Sequence, residues 1–187
     1  MSLTLDPEVA RRLGLLALDV DGVLTDNGIW IGPVAGERVE LKRFDIQDGL
    51  GHVLLRAAGI PVVWLSGRHL EATALRAREL KIEELLQVPG PHKLEAFEAL
   101  LERRGLQWTD VGYVGDDLAD LQVLRRVGLP IAVANAVSEV RAVAAYVTQA
   151  AGGHGAVREI ADALLKARGV WDDIMERYFS ESATRAR

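Results

Sequence analysis

Residues 15–25 read Leu15-Leu16-Ala17-Leu18-Asp19-Val20-Asp21-Gly22-Val23-Leu24-Thr25, an apolar run that ends in two carboxylates and a glycine. A short run without a polar break is what a strand covered on both faces presents, and such strands belong to parallel sheets flanked by helices. Acids placed just after the last apolar residue fall at the carboxyl edge of the sheet, where open α/β folds bind their ligands. Working outward, short Val-, Ile- and Leu-rich runs recur at 60–65, 85–88, 111–114, 131–133 and 146–148. Between them Leu50, Val53, Leu54 and Ala57 repeat at helical spacing, and similar stripes occupy 69–80, 93–104 and 118–127. Gly59, Gly105 and Gly128 follow three of these stripes, where helices take a left-handed cap. The expected fold is α/β, a doubly wound, Rossmann-like parallel sheet.

The alternation is interrupted once. Residues 28–31 and 37–44 read as extended pieces joined by a turn-rich 32–36, so a β-hairpin (27–44) is expected just after the first strand. Val39 and Leu41 alternate with charged neighbours, which gives the hairpin an apolar face that something must cover, a second subunit being one candidate. Residues 156–168 and 171–179 read as further helices and 180–187 as a frayed tail. The expected organisation is an N-terminal segment (1–13), one domain over 14–169 that contains the hairpin, and a C-terminal helix and tail (170–187).

With 187 residues, 49% of them hydrophobic and 26% charged, the chain has the proportions of one globular domain with modest extras. It has no cysteine, which fits a reducing compartment and removes thiolate metal sites and cysteine nucleophiles. The four histidines (His52, His69, His92, His154) lack the spacing of a zinc cluster. The 22 basic residues against 27 acidic ones give a net charge of −5, which opposes general affinity for nucleic acid or anionic membrane. No secretion signal is evident, and the longest charge-free stretch, 142–157, is broken by polar residues and falls short of the roughly 20 apolar residues of a membrane span. A soluble, cytoplasmic protein is expected.

Asp19 and Asp21 end the first strand, Ser66-Gly67-Arg68 the second, and Gly115-Asp116-Asp117 the fourth, with Asp120 one turn later. Carboxylates gathered on one edge repel one another, and a divalent cation resolves that conflict. Mg²⁺ suits them, because it prefers oxygen ligands and commonly sits between carboxylates, waters and a substrate phosphate. The remaining groups are those a phosphate wants: the Ser66 hydroxyl, close backbone approach at Gly22 and Gly67, and the Lys93 cation. Taken singly, Ser66, Asp116 and Asp117 have a plainer role as helix N-caps, Asp48 suits the N-cap of the helix it precedes, and Asp26 and Asp45 suit turns. Lys93 follows Pro91 near a helix start, where the macrodipole disfavours a cation, so a surface lysine is a poor account of it.

The motifs Asp19-Val-Asp-Gly-Val-Leu-Thr25, Leu65-Ser-Gly-Arg68, Lys93 and Gly115-Asp-Asp-x-x-Asp120 resemble, in order and spacing, the four motifs of the haloacid dehalogenase superfamily of phosphatases. Residues 14–168 are similar to its capless subgroup of 3-deoxy-D-manno-octulosonate (KDO) 8-phosphate phosphatases. The features behind this are Thr25-Asp26 leading into the hairpin, residues 44–49 ending in Asp-Gly, Tyr113-Val-Gly-Asp-Asp117, and Ala151-Gly-Gly-His-Gly-Ala-Val-Arg-Glu159. The resemblance implies a haloacid-dehalogenase-like fold without a cap domain, acting in lipopolysaccharide precursor synthesis. It also implies Asp19 as nucleophile, Asp21 as acid–base residue, and Ser66 and Lys93 on the phosphoryl oxygens. Mg²⁺ would be held by Asp19, the Asp21 main-chain carbonyl and Asp116, with Asp117 and Asp120 behind them. Gly22, Gly67, Arg68, His154 and Arg158 would contact a phosphorylated sugar acid. A homotetramer would close each active site with a neighbour's segments. Two departures stand out: His154 occupies a position where the subgroup usually has Arg, and the turn of the hairpin reads longer than usual. Alternative readings are a phosphatase for a nine-carbon sugar acid 9-phosphate or another small ester, and a catalytically silent oligomerisation module. A receiver domain also gathers acids and a lysine at strand ends, but the Asp-x-Asp-Gly pair and the hairpin do not suit it.

Overall fold

The structure, a computed structural model, describes residues 5–185. Six strands form one parallel sheet: β1 (Leu15–Leu18), β4 (Val62–Ser66), β5 (Glu84–Gln87), β6 (Val111–Gly115), β7 (Leu129–Ala132) and β8 (Tyr146–Val147), with β2 (Trp30–Val34) and β3 (Glu37–Leu41) forming the inserted hairpin. The sheet order is β5-β4-β1-β6-β7-β8, so the chain winds outward from β1 in one direction and then crosses to the other side. The reversal lies between β1 and β6, and the crevice above it is where such sheets bind ligands. β1 is central and buried along its whole length, pairing Leu16 with Val62 on one side and with Gly112 on the other. Each apolar side chain so buried contributes about 1.5–3 kcal/mol relative to exposure.

The helices are α1 (Pro7–Arg12), α2 (Ile46–Ala57), α3 (Glu71–Glu79), α4 (Lys93–Arg104), α5 (Leu121–Leu124), α6 (Ser138–Val143), α7 (Ala156–Arg168) and α8 (Trp171–Arg185). α2 packs along α7, which also takes α1 and α8, while α5 touches both α4 and α6. α4 has the expected bounds, and Gly105 closes it at φ +63. Several expectations are corrected. The stripe at 118–127 is one 3₁₀ turn (Leu118–Asp120) and a single turn of α-helix, because Asp117 and Asp120 commit the start of that segment to a capping box. Gly128 is no cap: any Cβ there would strike the Thr109 backbone, so it is a site of close approach. α8 continues through Arg185 where a frayed tail was expected, and residues 186 and 187 lie outside the described ones.

The hairpin turn is shorter than its composition suggests. Val34 pairs with Glu37, leaving only Ala35 and Gly36 as the loop, at φ 51 and 85, the conformation that favours tight hairpins. Pro33 then faces Arg38 inside the ladder. Counting from the Val34–Glu37 hydrogen-bonded pair, this is a non-hydrogen-bonded position, where a missing N–H costs nothing. Trp30, Val34 and Leu41 are 71%, 60% and 59% exposed, so the expected apolar face exists and is wider than Val39 and Leu41 alone. Among the described residues, no helix is long and apolar enough to cross a membrane.

Candidate active site

β1 delivers Asp19 to the switch point, where its N–H donates to the Val114 carbonyl at 2.9 Å and its side chain is buried. Lys93, the first residue of α4, brings a buried ammonium between two carboxylates: Nζ donates to Asp19 Oδ1 at 2.7 Å and to Asp120 Oδ1 at 2.8 Å. These two charges offset a helix N-terminus that would otherwise repel the cation. Asp120 is fully engaged, since Oδ1 also accepts from the Tyr113 hydroxyl at 2.7 Å and Oδ2 accepts from the amides of Asp116 and Asp117 at 3.1 and 3.4 Å. Asp116 is different: it is buried, and its Oδ1 has no hydrogen-bond partner.

The carboxylates of Asp19, Asp116 and Asp120 offer oxygens that all lie within 4.8 Å of one another. Burial, then the charge of Asp120, pushes the Asp19 carboxyl well above the usual range, although Lys93 pulls the other way. Burial, followed by the charges of Asp120 and Asp117, raises Asp116 to about 7. Burial also opposes the charge on Lys93, but Asp19 and Asp120 outweigh it and hold the ammonium protonated. Two crowded carboxylates and one orphaned oxygen fit a hard divalent cation. Asp19 and Asp116 have the free capacity to hold it. Asp120 does not, because Lys93, Tyr113 and two amides already use it.

Gly22 sits at φ +90, and a Cβ there would collide with the Asp116 carboxylate, so the turn after Asp21 leaves room for that acid only as glycine. Thr25 holds the turn, its Oγ1 accepting from Gly22 N–H at 3.3 Å and donating to the Val20 carbonyl at 3.4 Å. The Asp21 carboxylate is not one of the three clustered acids and pairs with Lys42 Nζ. Ser66 is buried at the end of β4, two residues beyond the Trp64–Leu18 pair, and closes a small turn: Oγ accepts from Arg68 N–H at 3.2 Å and donates to the Arg68 carbonyl at 3.0 Å. Gly67 lies within that turn. The Arg68 guanidinium reaches the hairpin, pairing with Glu40 at 2.7 Å.

The loop Ala151 to Gly155 packs on the turn after β1: Gly153 N–H donates to the Val23 carbonyl at 3.0 Å, and Gly152 N–H donates to Asn135 Oδ1 at 2.8 Å. His154 is exposed on this loop. Arg158 and Asp117 are not gathered with the acids. The Arg158 guanidinium pairs with Asp162 at 2.7 Å and lines a separate cavity of about 710 Å³ with Leu5, Tyr146 and Lys166. Asp117 is exposed and caps Leu118 at 2.7 Å. Asp48 does not cap the helix it was expected to start, a task Asp45 performs. It lies inside α2, buried, and its Oδ1 accepts from Arg158 N–H at the start of α7 at 2.9 Å. Lys42, Arg43, Tyr113 and Asn135 also touch the site, and sequence reasoning gave none of them a role.

The haloacid dehalogenase-like hydrolase profile matches residues 86–160. KDO 8-phosphate phosphatase KdsC of Escherichia coli (strain K12) is 44% identical over 164 residues, spanning 88% of this chain and 85% of that protein. A crystal structure of the phosphatase of that name from Moraxella catarrhalis, in complex with magnesium ion, phosphate ion and KDO, superposes with a TM-score of 0.86 at 37% identity, covering 92% of this chain and 97% of the other. The cobalt-bound deoxy-D-mannose-octulosonate 8-phosphate phosphatase from Haemophilus influenzae superposes with a TM-score of 0.77 at 32% identity, covering 86% and 92%.

Proposed function

This chain belongs to the haloacid dehalogenase-like hydrolases, among the KDO 8-phosphate phosphatases, and from that membership we propose that it hydrolyses KDO 8-phosphate to KDO and phosphate with Mg²⁺. It is a phosphoric monoester hydrolase. The observation that carries the reading is the buried Lys93 ammonium spanning Asp19 and Asp120 beside the orphaned Asp116 oxygen. That arrangement supports a phosphate pocket built around one free carboxylate and one cation.

In this mechanism Asp19 attacks phosphorus in line, the bond to the sugar oxygen breaks, and an aspartyl-phosphate forms. Asp21 donates its proton to the departing oxygen, then takes one from the water that cleaves the acyl phosphate. Lys93 and the Ser66 hydroxyl neutralise and orient phosphoryl oxygens, a task the reading also gives to the backbone at Gly22 and Gly67. Mg²⁺ would be held by Asp19, Asp116 and the Asp21 main-chain carbonyl, and would supply the positive charge that lets two carboxylates and a phosphoryl group share one pocket. Asp120 keeps Lys93 in place. Arg68 and His154 are the residues this reading assigns to the sugar acid.

Residues 14–169 form the catalytic unit, with 27–44 as an insert. The exposed apolar face of the hairpin supports a homotetramer in which neighbours close each pocket, and the cysteine-free composition supports a cytoplasmic enzyme. Release of inorganic phosphate from the octulosonate ester, with and without Mg²⁺, tests the reading. Wild type turns over only with the cation and Asp19→Asn falls to background; cation-dependent turnover in that variant would refute the role of Asp19. A nine-carbon ester hydrolysed faster at equal concentration would shift the substrate.

A further inference from the structure

We propose that Lys42 is a positioning residue that fixes the Asp21 carboxylate for proton transfer, and that through it the inserted hairpin is part of the catalytic unit. The inference rests on the reading of Asp21 as the acid–base residue. Lys42 directly follows β3; its side chain has no solvent exposure, and Nζ is paired with Asp21 Oδ1. Among the described residues Nζ has no other polar partner. A buried ammonium with a single counter-ion is tolerable only while that counter-ion stays in place, so each group specifies the position of the other.

The position of Lys42 is itself set by the residues that follow it. Arg43 donates to the Gly153 carbonyl at 2.8 Å and lies within 3.9 Å of Asp26 and 3.6 Å of Asp45. Phe44 stacks on Trp64 with ring centroids 6.2 Å apart and bridges to Thr25 in the turn after β1. Three consecutive residues therefore anchor the returning strand to Asp21, to the Gly152-Gly153 loop and to the sheet. The Asp21 carboxylate is 20% exposed and pairs with no other cation among the described residues. Without Lys42 it would be free to leave the rotamer that faces the leaving group, and a displacement of about 1 Å can cost on the order of 10²-fold in rate.

The consequence is selective. An alkyl phosphate needs a proton on its departing oxygen, whereas a p-nitrophenolate leaves without one. The kcat/KM of each ester reports the step in which that oxygen departs. In Lys42→Met, kcat/KM for an alkyl phosphate should fall by about 30-fold or more, while that for p-nitrophenyl phosphate falls by less than about threefold. Lys42→Gln, which keeps a donor and much of the length, should shift the same ratio in the same direction and serves if Lys42→Met does not fold. Equal losses on both esters would make Lys42 a structural residue only, and an unchanged alkyl rate would remove it from the mechanism; either overturns the proposal. The ratio is measured on any alkyl ester that the wild type hydrolyses. A wrong substrate assignment therefore appears as a wild type inactive on the octulosonate ester, and a wrong inference as an unchanged ratio.

Discussion

At the scale of single residues, Asp116 shows what the pocket requires. Burial and the neighbouring carboxylates raise it to about 7, so near neutrality and below a proton competes for the place that a cation would take. Binding Mg²⁺ displaces that proton below neutrality, and Asp19, also raised, adds to the effect, so apparent affinity should fall by at least about tenfold per pH unit below roughly 7. Calorimetric titration at pH 8, 7 and 6 measures this, and an affinity constant across the series would contradict the assignment. Asp19, Asp116 and Lys93 were legible in the sequence because each stands where a strand or helix begins or ends, and their spacing survives without the fold. Lys42 was not, because its place in an alternating hairpin says nothing of the partner that folding supplies. Asp48 misled for a related reason. A carboxylate at a helix start reads as a local cap, whereas this one caps a different helix 110 positions away.

At the scale of the element, α2 carries two buried titratable groups with opposed effects. His52 accepts from the Trp64 indole N–H at 3.0 Å through Nε2, and its Nδ1 lies 2.7 Å from the Asp48 carbonyl. This arrangement suits the neutral ring with its proton on Nδ1. Burial lowers its pKa to about 4, so the unfolded chain takes up the proton first and stability is lost as pH falls from about 6.5 toward 4. Asp48 is raised to about 6, chiefly by burial, so its folded form keeps a proton that the unfolded chain releases, and stability is lost as pH rises from about 4 to 6. Each effect amounts to about 3 kcal/mol over its window, and in the wild type they largely cancel. Asp48→Asn should therefore gain stability relative to wild type between pH 4.5 and 6.5, and His52→Gln should lose it. Urea unfolding of Mg²⁺-saturated protein at both pH values checks this, and differences that stay flat with pH would contradict it. Helical periods were well read where a stripe was long, as in α4. They failed at 118–127, where capping chemistry overrode the apolar pattern. The hairpin was read as one, but its turn was placed too wide, because Gly32 and Pro33 lie in the strand and not in the turn.

At the scale of the whole molecule, the alternation of strands and helices made a parallel sheet legible. The strand order was not, because which buried strand lies beside which depends on crossovers that periodicity does not encode. The order places Asp19 and Asp116 on adjacent strands at the switch point, and the catalytic reading depends on that adjacency. Outside the sheet, the hairpin exposes Trp30, Ile31, Val34 and Leu41, and Ile46 beyond it is 84% exposed. An apolar surface of that composition on a charged chain favours self-association. Sedimentation should give four times the chain mass for wild type and a smaller species for Trp30→Lys, whose exposed position leaves the single-chain fold intact; a wild-type monomer with full activity would contradict the tetramer. The most direct test of the account is to trap the covalent intermediate: acid quench during turnover of a ³²P-labelled ester, borohydride reduction, and peptide mapping by mass spectrometry. The account predicts ³²P on the quenched protein, released as phosphate by borohydride, and homoserine in place of Asp19 alone. Reduction at any other residue, or turnover without labelled protein at any quench time, would contradict it.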